Sequence, residues 1–159
     1  MHETSMSNMR YFREAFVKPR RVLDVGSQDL NGSYRSIFLD LEYVGMDLLE
    51  GPGVDVTNWD DLAEDSFDYV ISGQTFEHAE DDAALMWNIA KVLKPCGLCC
   101  IIAPSAGPNH DSPYDYRRYS PESMIILAED AGLRVIEAKI NGEDPWFDCV
   151  LIAQKRGAR

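Results

Sequence analysis

Four short stretches of this chain carry apolar runs with neither a two-residue nor a 3.6-residue period: RRVLDVG (20–26), EYVGMDLL (42–49), DSFDYVISG (65–73) and LCCIIAPS (98–105). A strand with one wet face alternates apolar and polar residues. A strand covered on both faces reads as a continuous run, which is the mark of a parallel sheet layered between helices. The segments between the runs have helical character. Residues 3–17 read as an amphipathic helix stopped by Pro19, and residues 30–40 look helical. In 81–93, Ala84, Leu85, Ile89, Val92 and Leu93 fall near one helical face, and Pro95 and Gly97 stop the helix. Residues 121–131 form a helix capped by Ser120, with Pro121 at its first position and Gly132 after its end.

Strands alternating with helices predict an α/β domain: a Rossmann-like, mostly parallel sheet with helices on both faces. Two features modify the pattern. Residues 133–140 and 146–155 read as consecutive strands joined by the turn NGEDP. A link that short demands antiparallel pairing, so the sheet should carry a C-terminal antiparallel hairpin. The stretch LLEGPG after the second strand cannot hold a crossover helix, so one such helix is trimmed. VDV (54–56) is then either a short edge segment reached by a loop or no ladder strand.

A chain of 159 residues suits one domain, read here as an N-terminal helix (1–19) followed by halves at 20–73 and 74–159. No run approaches a membrane span, and MHETSMSNMRYF lacks the apolar core of a secretory leader, so the expected compartment is the cytoplasm. The net charge of −12 argues against nucleic acid and anionic membranes as partners. The charge is uneven: no Lys or Arg lies between Arg35 and Lys91, a stretch that could not neutralise a phosphate. Of the four cysteines, Cys96, Cys99 and Cys100 are too close together for a disulfide framework. CGLC (96–99) leads into a strand rather than a redox-type helix. No His, Cys and carboxylate set has zinc-ligand spacing, so no metal site is expected.

In an open α/β sheet, ligands bind outside the carboxyl ends of the strands. Gly26 ends the first strand and permits a tight turn with close ligand approach. Asp24, inside the same strand, is a carboxylate that must find partners when buried. Asp47 closes the second strand 21 residues after Gly26, where an acidic side chain can accept hydrogen bonds from ribose hydroxyls.

With VLDVGS, YVGMD, SFDYVISGQTFEHAED, LKPCGLCCIIAPS and the closing hairpin, the chain from about Arg20 to Lys155 resembles the class I S-adenosylmethionine-dependent methyltransferases, in particular the small bacterial methyltransferase-domain type. Asp68, Glu77 and His78 match the family's strand Asp and its Glu-His before a helix. LKPCG matches Leu-Lys-Pro-Gly-Gly, with Cys96 in place of a glycine. The resemblance implies S-adenosylmethionine as cofactor. Gly26, Ser27 and Gln28 would lie at its methionine part, and Asp47 with Leu48 at its ribose. Asp55 and Asn58, with Trp59 as a wall, would lie at its adenine, and Ser72 and Gly73 near the amino group and sulfonium. Asp24 and His78 complete that set. The family's glycine loop is altered here, because Gln28 and Leu30 stand at its second and third glycine positions. A phosphate-free cofactor tolerates side chains there better than a dinucleotide would, which disfavours a nicotinamide cofactor.

The segment 104–124 should pass over the transfer point, and similar enzymes use it for the acceptor. His110, Asp111, His78 and Tyr119 are the candidate bases, with His78 read as the more structural of them, and Arg117 and Arg118 are a candidate clamp for an anionic group. The expected reaction is direct methyl transfer to a small-molecule or glycan acceptor. The acceptor pocket could be completed by a second copy or a partner chain. The alternative is a non-catalytic methyltransferase-like module that binds cofactor or a partner.

Overall fold

The computed structural model describes residues 3–18, 20–30, 32–110, 114–142 and 145–157. The order is α1 (Glu3–Phe16), β1 (Arg21–Val25), β2 (Glu42–Met46), β3 (Phe67–Gly73), α2 (Asp82–Val92), β4 (Leu93–Pro104), α3 (Pro121–Asp130), β5 (Leu133–Ile140) and β6 (Asp148–Lys155). Three single turns of 3-10 helix intervene, at Tyr34–Ile37, Trp59–Asp61 and Phe76–His78. The strands form one six-stranded sheet in the order β2-β1-β3-β4-β6-β5. β2, β1, β3 and β4 run parallel, while β6 is antiparallel to both of its neighbours. The hairpin is therefore as expected, with β6 inserted between β4 and β5.

Pleating sends successive side chains of each strand to opposite faces, and each face has its own core. Leu23, Val25, Val70 and Ile101 meet α2 and α3 through Met86, Ile89, Met124 and Ala128. Val22, Ile71, Cys100 and Ile152 meet α1 through Met9 and Phe12, together with Tyr34 and Phe38. Covering on both faces is the reason the central strands read as continuous apolar runs. It also accounts for Cys99 and Cys100, which are buried strand residues. Burial pushes the Cys99 thiol up to about 12. Among the described residues, no helix is long and apolar enough to cross a membrane.

Two local expectations are corrected, and the alternative left open for VDV is settled. The helix expected over 30–40 shrinks to the 3-10 turn Tyr34–Ile37. Ser33, in extended conformation, caps it by accepting the Arg35 N–H, and Phe38 N–H already bonds back to Arg35 O. That leaves room for a single turn, held by burial of Tyr34 and Phe38 against α1. Secondly, VDV is not a ladder strand. Only Val56 pairs, through an isolated parallel bridge to Met46 at the outer side of β2. Thirdly, LKPCG is absorbed into β4 as a bulge. Leu93 pairs with Phe67 and Leu98 with Tyr69, so four residues of β4 lie opposite the single residue Asp68 of β3. Cys96 takes φ 65° there, the left-handed conformation that a glycine would adopt without strain. Pro19, the expected stop of α1, lies outside the described residues.

Candidate active site

The chain runs from β1 outward to β2 and then returns to β3 on the other side of β1. The switch point therefore lies between the carboxyl ends of β1 and β3, where a crevice forms in open α/β sheets. Gly26 turns the chain there. Its N–H and that of Ser27 both bond to Met46 O, at 2.8 and 3.1 Å. Gly26 has φ +80°, and a Cβ on it would lie 2.0 Å from Thr75 Oγ1, so the loops after β1 and β3 are in direct contact. Asp47 follows Met46 immediately, is half-buried, and accepts the Leu49 N–H at 3.1 Å. Leu48 is largely exposed beside it. Ser72 and Gly73 end β3. Ser72 Oγ donates to Val25 O at 2.9 Å, and Gly73 leaves space that the Tyr34 hydroxyl fills from the α1 side.

The altered glycine loop has a structural counterpart. Ser27 Oγ donates to Gly53 O at 3.1 Å, Gln28 Nε2 to Glu50 O at 3.2 Å, and Asp29 N–H to Pro52 O at 2.8 Å. Gln28, at one of the missing glycine positions, thus joins the Ser27 side chain and the Asp29 N–H in latching the loop to the segment that replaced the crossover helix. That segment borders a shallow cleft of about 640 Å³ lined by Glu50, Gly51, Val54–Thr57 and Asp61.

Asp24 lies within β1, two residues before Gly26. It is buried on the α1 face and accepts a short hydrogen bond from the Tyr43 hydroxyl. Burial raises its pKa to about 7, against the opposing pull of Tyr43 and Arg35. Asp55 accepts the Gly45 N–H and pairs with Arg35, each at 2.8 Å. Burial opposes its ionisation, but these partners outweigh it and hold its pKa below the usual value. Asn58 caps the turn at 59–61 by accepting the Asp60 N–H, and Trp59 packs half-buried against the core. Asp68 sits at the amino end of β3, remote from the crevice. It ties the strand starts together through Arg20, Lys94 and the Arg21 N–H.

The segment after β4 comes back over the carboxyl ends of the strands. Arg118 holds it in shape: its guanidinium bonds to Asp115, to Ala106 O at 3.0 Å and to Pro108 O at 2.7 Å. Arg117 pairs with Asp82 at 2.7 Å. Both arginines are thus committed within the protein, which corrects the expected anion clamp. Asp115 is held well below its usual pKa by Arg118, in spite of its burial. Tyr119 is buried, with its hydroxyl shared between Phe76 O (2.9 Å) and Asp82 (3.0 Å). Burial raises its pKa further above the ordinary phenol value. His110 is half-exposed and packs edge-on against Trp146 at 4.9 Å and against His78 at 5.0 Å. Asp111 lies outside the described residues.

Two residues at this rim were matched or passed over in the sequence without a role. Gln74, with φ 56°, donates Nε2 to Asp148 at 2.9 Å while its buried Oε1 has no hydrogen bond. Glu77 is fully buried, and neither carboxylate oxygen has a hydrogen-bond partner. Burial pushes its pKa up to about 8. The Glu-His pair was visible in the sequence. That Glu77 points inward and His110 comes to meet it was not.

Structural neighbours decide what this architecture is. The 1,6-didemethyltoxoflavin-N1-methyltransferase of Burkholderia thailandensis, with bound 1,6-didemethyltoxoflavin and S-adenosylhomocysteine, superimposes with TM-score 0.78 at 19% identity, over 97% of this chain and 79% of that one. The chain has a class I methyltransferase fold. A SAM-dependent methyltransferase from Aquifex aeolicus matches this methyltransferase fold with TM-score 0.73 at 18% identity, over 95% and 90% of the two chains. A complex of the Haloferax volcanii Trm112 methyltransferase activator with a methyltransferase matches with TM-score 0.70 at 17% identity, over 96% and 90%. Residues 34–101 match a family model described as a methyltransferase domain. No curated protein matches the sequence.

Proposed function

We propose that this chain is an S-adenosylmethionine-dependent methyltransferase acting on a small-molecule or glycan acceptor. The observation that carries the reading is the convergence of Gly26, Asp47 and Gly73 at the switch point of the methyltransferase fold. Gly26 and Ser27 would accommodate the methionine part, Asp47 the ribose diol, and the backbone at Ser72 and Gly73 the amino group and sulfonium. Leu48 and the cleft-lining stretch 54–61 would take the adenine. S-adenosylmethionine is cationic and phosphate-free, which suits a half-domain without Lys or Arg from 36 to 90.

A sulfonium is already an activated leaving group, so alignment of acceptor and methyl supplies much of the rate. Ser72, held to Val25 O, and Thr75, packed on Gly26, set the floor of that alignment. His110, at the rim, is the group best placed to take a proton from the acceptor. Calorimetry with S-adenosylmethionine and S-adenosylhomocysteine tests the reading. Saturable binding of both is expected, and no heat at millimolar ligand would overturn it.

A second reading, a cofactor- or partner-binding module without transfer, draws on exposed Leu30, Leu48 and Leu49 around the latched loop. A partner chain seated there would complete the pocket. Methyl transfer to any acceptor by the isolated chain would exclude this reading.

A further inference from the structure

Glu77 poses a chemical question. A buried carboxylate ordinarily collects hydrogen bonds or a cation, because both of its oxygens are costly to strip of water. Here both oxygens are buried without a hydrogen bond. Glu77 Oε1 instead faces two imidazoles, with His78 Nε2 and His110 Nε2 each 3.8 Å away. That is too long for a hydrogen bond. It exceeds by only about half an ångström the ~3.3 Å spacing of neighbouring ligands around a divalent ion bound at 2.0–2.1 Å.

The two imidazoles face inward for a reason that can be traced. His78 Nδ1 lies 2.5 Å from Tyr114 O, and a carbonyl can only accept, so Nδ1 carries the proton and Nε2 keeps its lone pair. His110 Nδ1 lies 3.0 Å from Asp115, outside hydrogen-bonding angle, while the His110 N–H donates to the same carboxylate at 2.9 Å. Each ring thus has a carbonyl or carboxylate at its outer nitrogen, the arrangement that orients metal-binding histidines. The loop's two guanidinium groups are already paired, Arg118 with Asp115 and Arg117 with Asp82.

We propose that Glu77, His78 and His110 bind one divalent transition-metal ion of zinc-like preference on the acceptor side of the crevice. Three potential ligand atoms from these residues lie within 4.8 Å of one another. Two histidines and one carboxylate leave coordination positions open, as in catalytic sites. The sequence hid the set because Glu77–His78 and His110 come from separate loops, so no ligand spacing is visible in it.

The consequence for chemistry rests on the methyltransferase reading above. Such an ion would take an oxygen of the acceptor and lower the pKa of its hydroxyl. With His110 bound to the ion and no longer available as the base, the hydroxyl proton goes to solvent, an oxygen lone pair forms the bond to the methyl carbon, and the carbon–sulfur bond breaks with its pair left on sulfur. The preferred acceptor class is therefore one that presents a hydroxyl beside a second oxygen donor.

The test uses the full chain, stripped with a chelator and titrated with Co(II), followed by visible absorption and by displacement with Zn(II). One ion per chain is expected. Glu77→Gln and His110→Ala should each weaken binding at least about 100-fold, beyond the 10–100-fold typical of outer-shell changes. Asp130→Asn, remote on α3, should leave it unchanged. Thermal melts confirm that the variants fold, and His110→Ala changes a half-exposed loop residue. No stoichiometric ion at submillimolar metal, or undiminished binding in both variants, would overturn the proposal. S-adenosylhomocysteine calorimetry on stripped and loaded protein separates the two readings. Cofactor binding without metal binding removes the metal site alone, and metal binding without cofactor binding removes the methyltransferase reading alone.

Discussion

Asp24→Asn should convert a pH-sensitive protein into a less sensitive one. Asp24 sits in the middle of β1, 3% exposed, with the Tyr43 hydroxyl from β2 donating to it. The charged groups around it are Arg35 from the 3-10 turn and Asp47 at the end of β2, with the Tyr34 hydroxyl close enough to feel its charge. Burial dominates and lifts its pKa from 3.8 to about 7. In the unfolded chain the carboxyl ionises near its ordinary value, whereas in the folded chain it holds its proton three pH units longer. A raised folded pKa means stability that is fully present below pH 4 and is lost as pH rises through 7. At about 1.4 kcal/mol per unit, the loss approaches about 4 kcal/mol. Asparagine mimics the protonated acid and does not titrate. Urea denaturation of both proteins at pH 5 and pH 8 isolates this group, because Glu77 titrates in both and cancels in the difference. The stability gap in favour of Asp24→Asn should widen by about 3 kcal/mol from pH 5 to pH 8. Parallel pH profiles, or a variant less stable than wild type at pH 8, would refute the reasoning.

Three further outcomes follow from single contacts. Cys96→Gly should stabilise the chain by about 1 kcal/mol in urea titrations, by relieving the left-handed conformation in the β4 bulge. Gly73→Ala should destabilise it by about 1–3 kcal/mol, because the new methyl would fall 2.0 Å from the Tyr34 hydroxyl in the packed α1 face. The same variant would lower the melting temperature without a change in net charge. Asp47→Ala should weaken S-adenosylhomocysteine binding by about 10–100-fold in calorimetry, the cost of losing a charge-assisted hydrogen-bond acceptor, with a melting temperature close to wild type.

The agreement between sequence and structure follows the range of the interactions involved. The central strands were legible because burial on both faces leaves an apolar run that needs no partner to be recognised. The helix at 121–130 was legible because Ser120, Pro121 and Gly132 signal its ends locally, and the Ser120–Ser123 capping box bears this out. The helix at 30–40 was misread because its apolar residues, Tyr34 and Phe38, are four apart, as in a helix. Yet they serve a single turn seated on α1. VDV was left open in the sequence, and a single bridge at Val56 settles it.

The sequence by itself determined the layers, the parallel order up to β4, the antiparallel close and the glycine turn followed by Asp47. These depend on periodicity and on residues near one another in the chain. Only the tertiary structure decided which partner each polar group meets. It paired Asp55 with Arg35, Arg117 with Asp82 and Arg118 with Asp115, buried Asp24 against Tyr43, and set Glu77 against His78 and His110. The physical reason is that a polar side chain's role is set by what it meets after burial. Those partners come from segments up to 35 positions apart, as Asp82 and Arg117 are. No local pattern in the chain encodes that meeting.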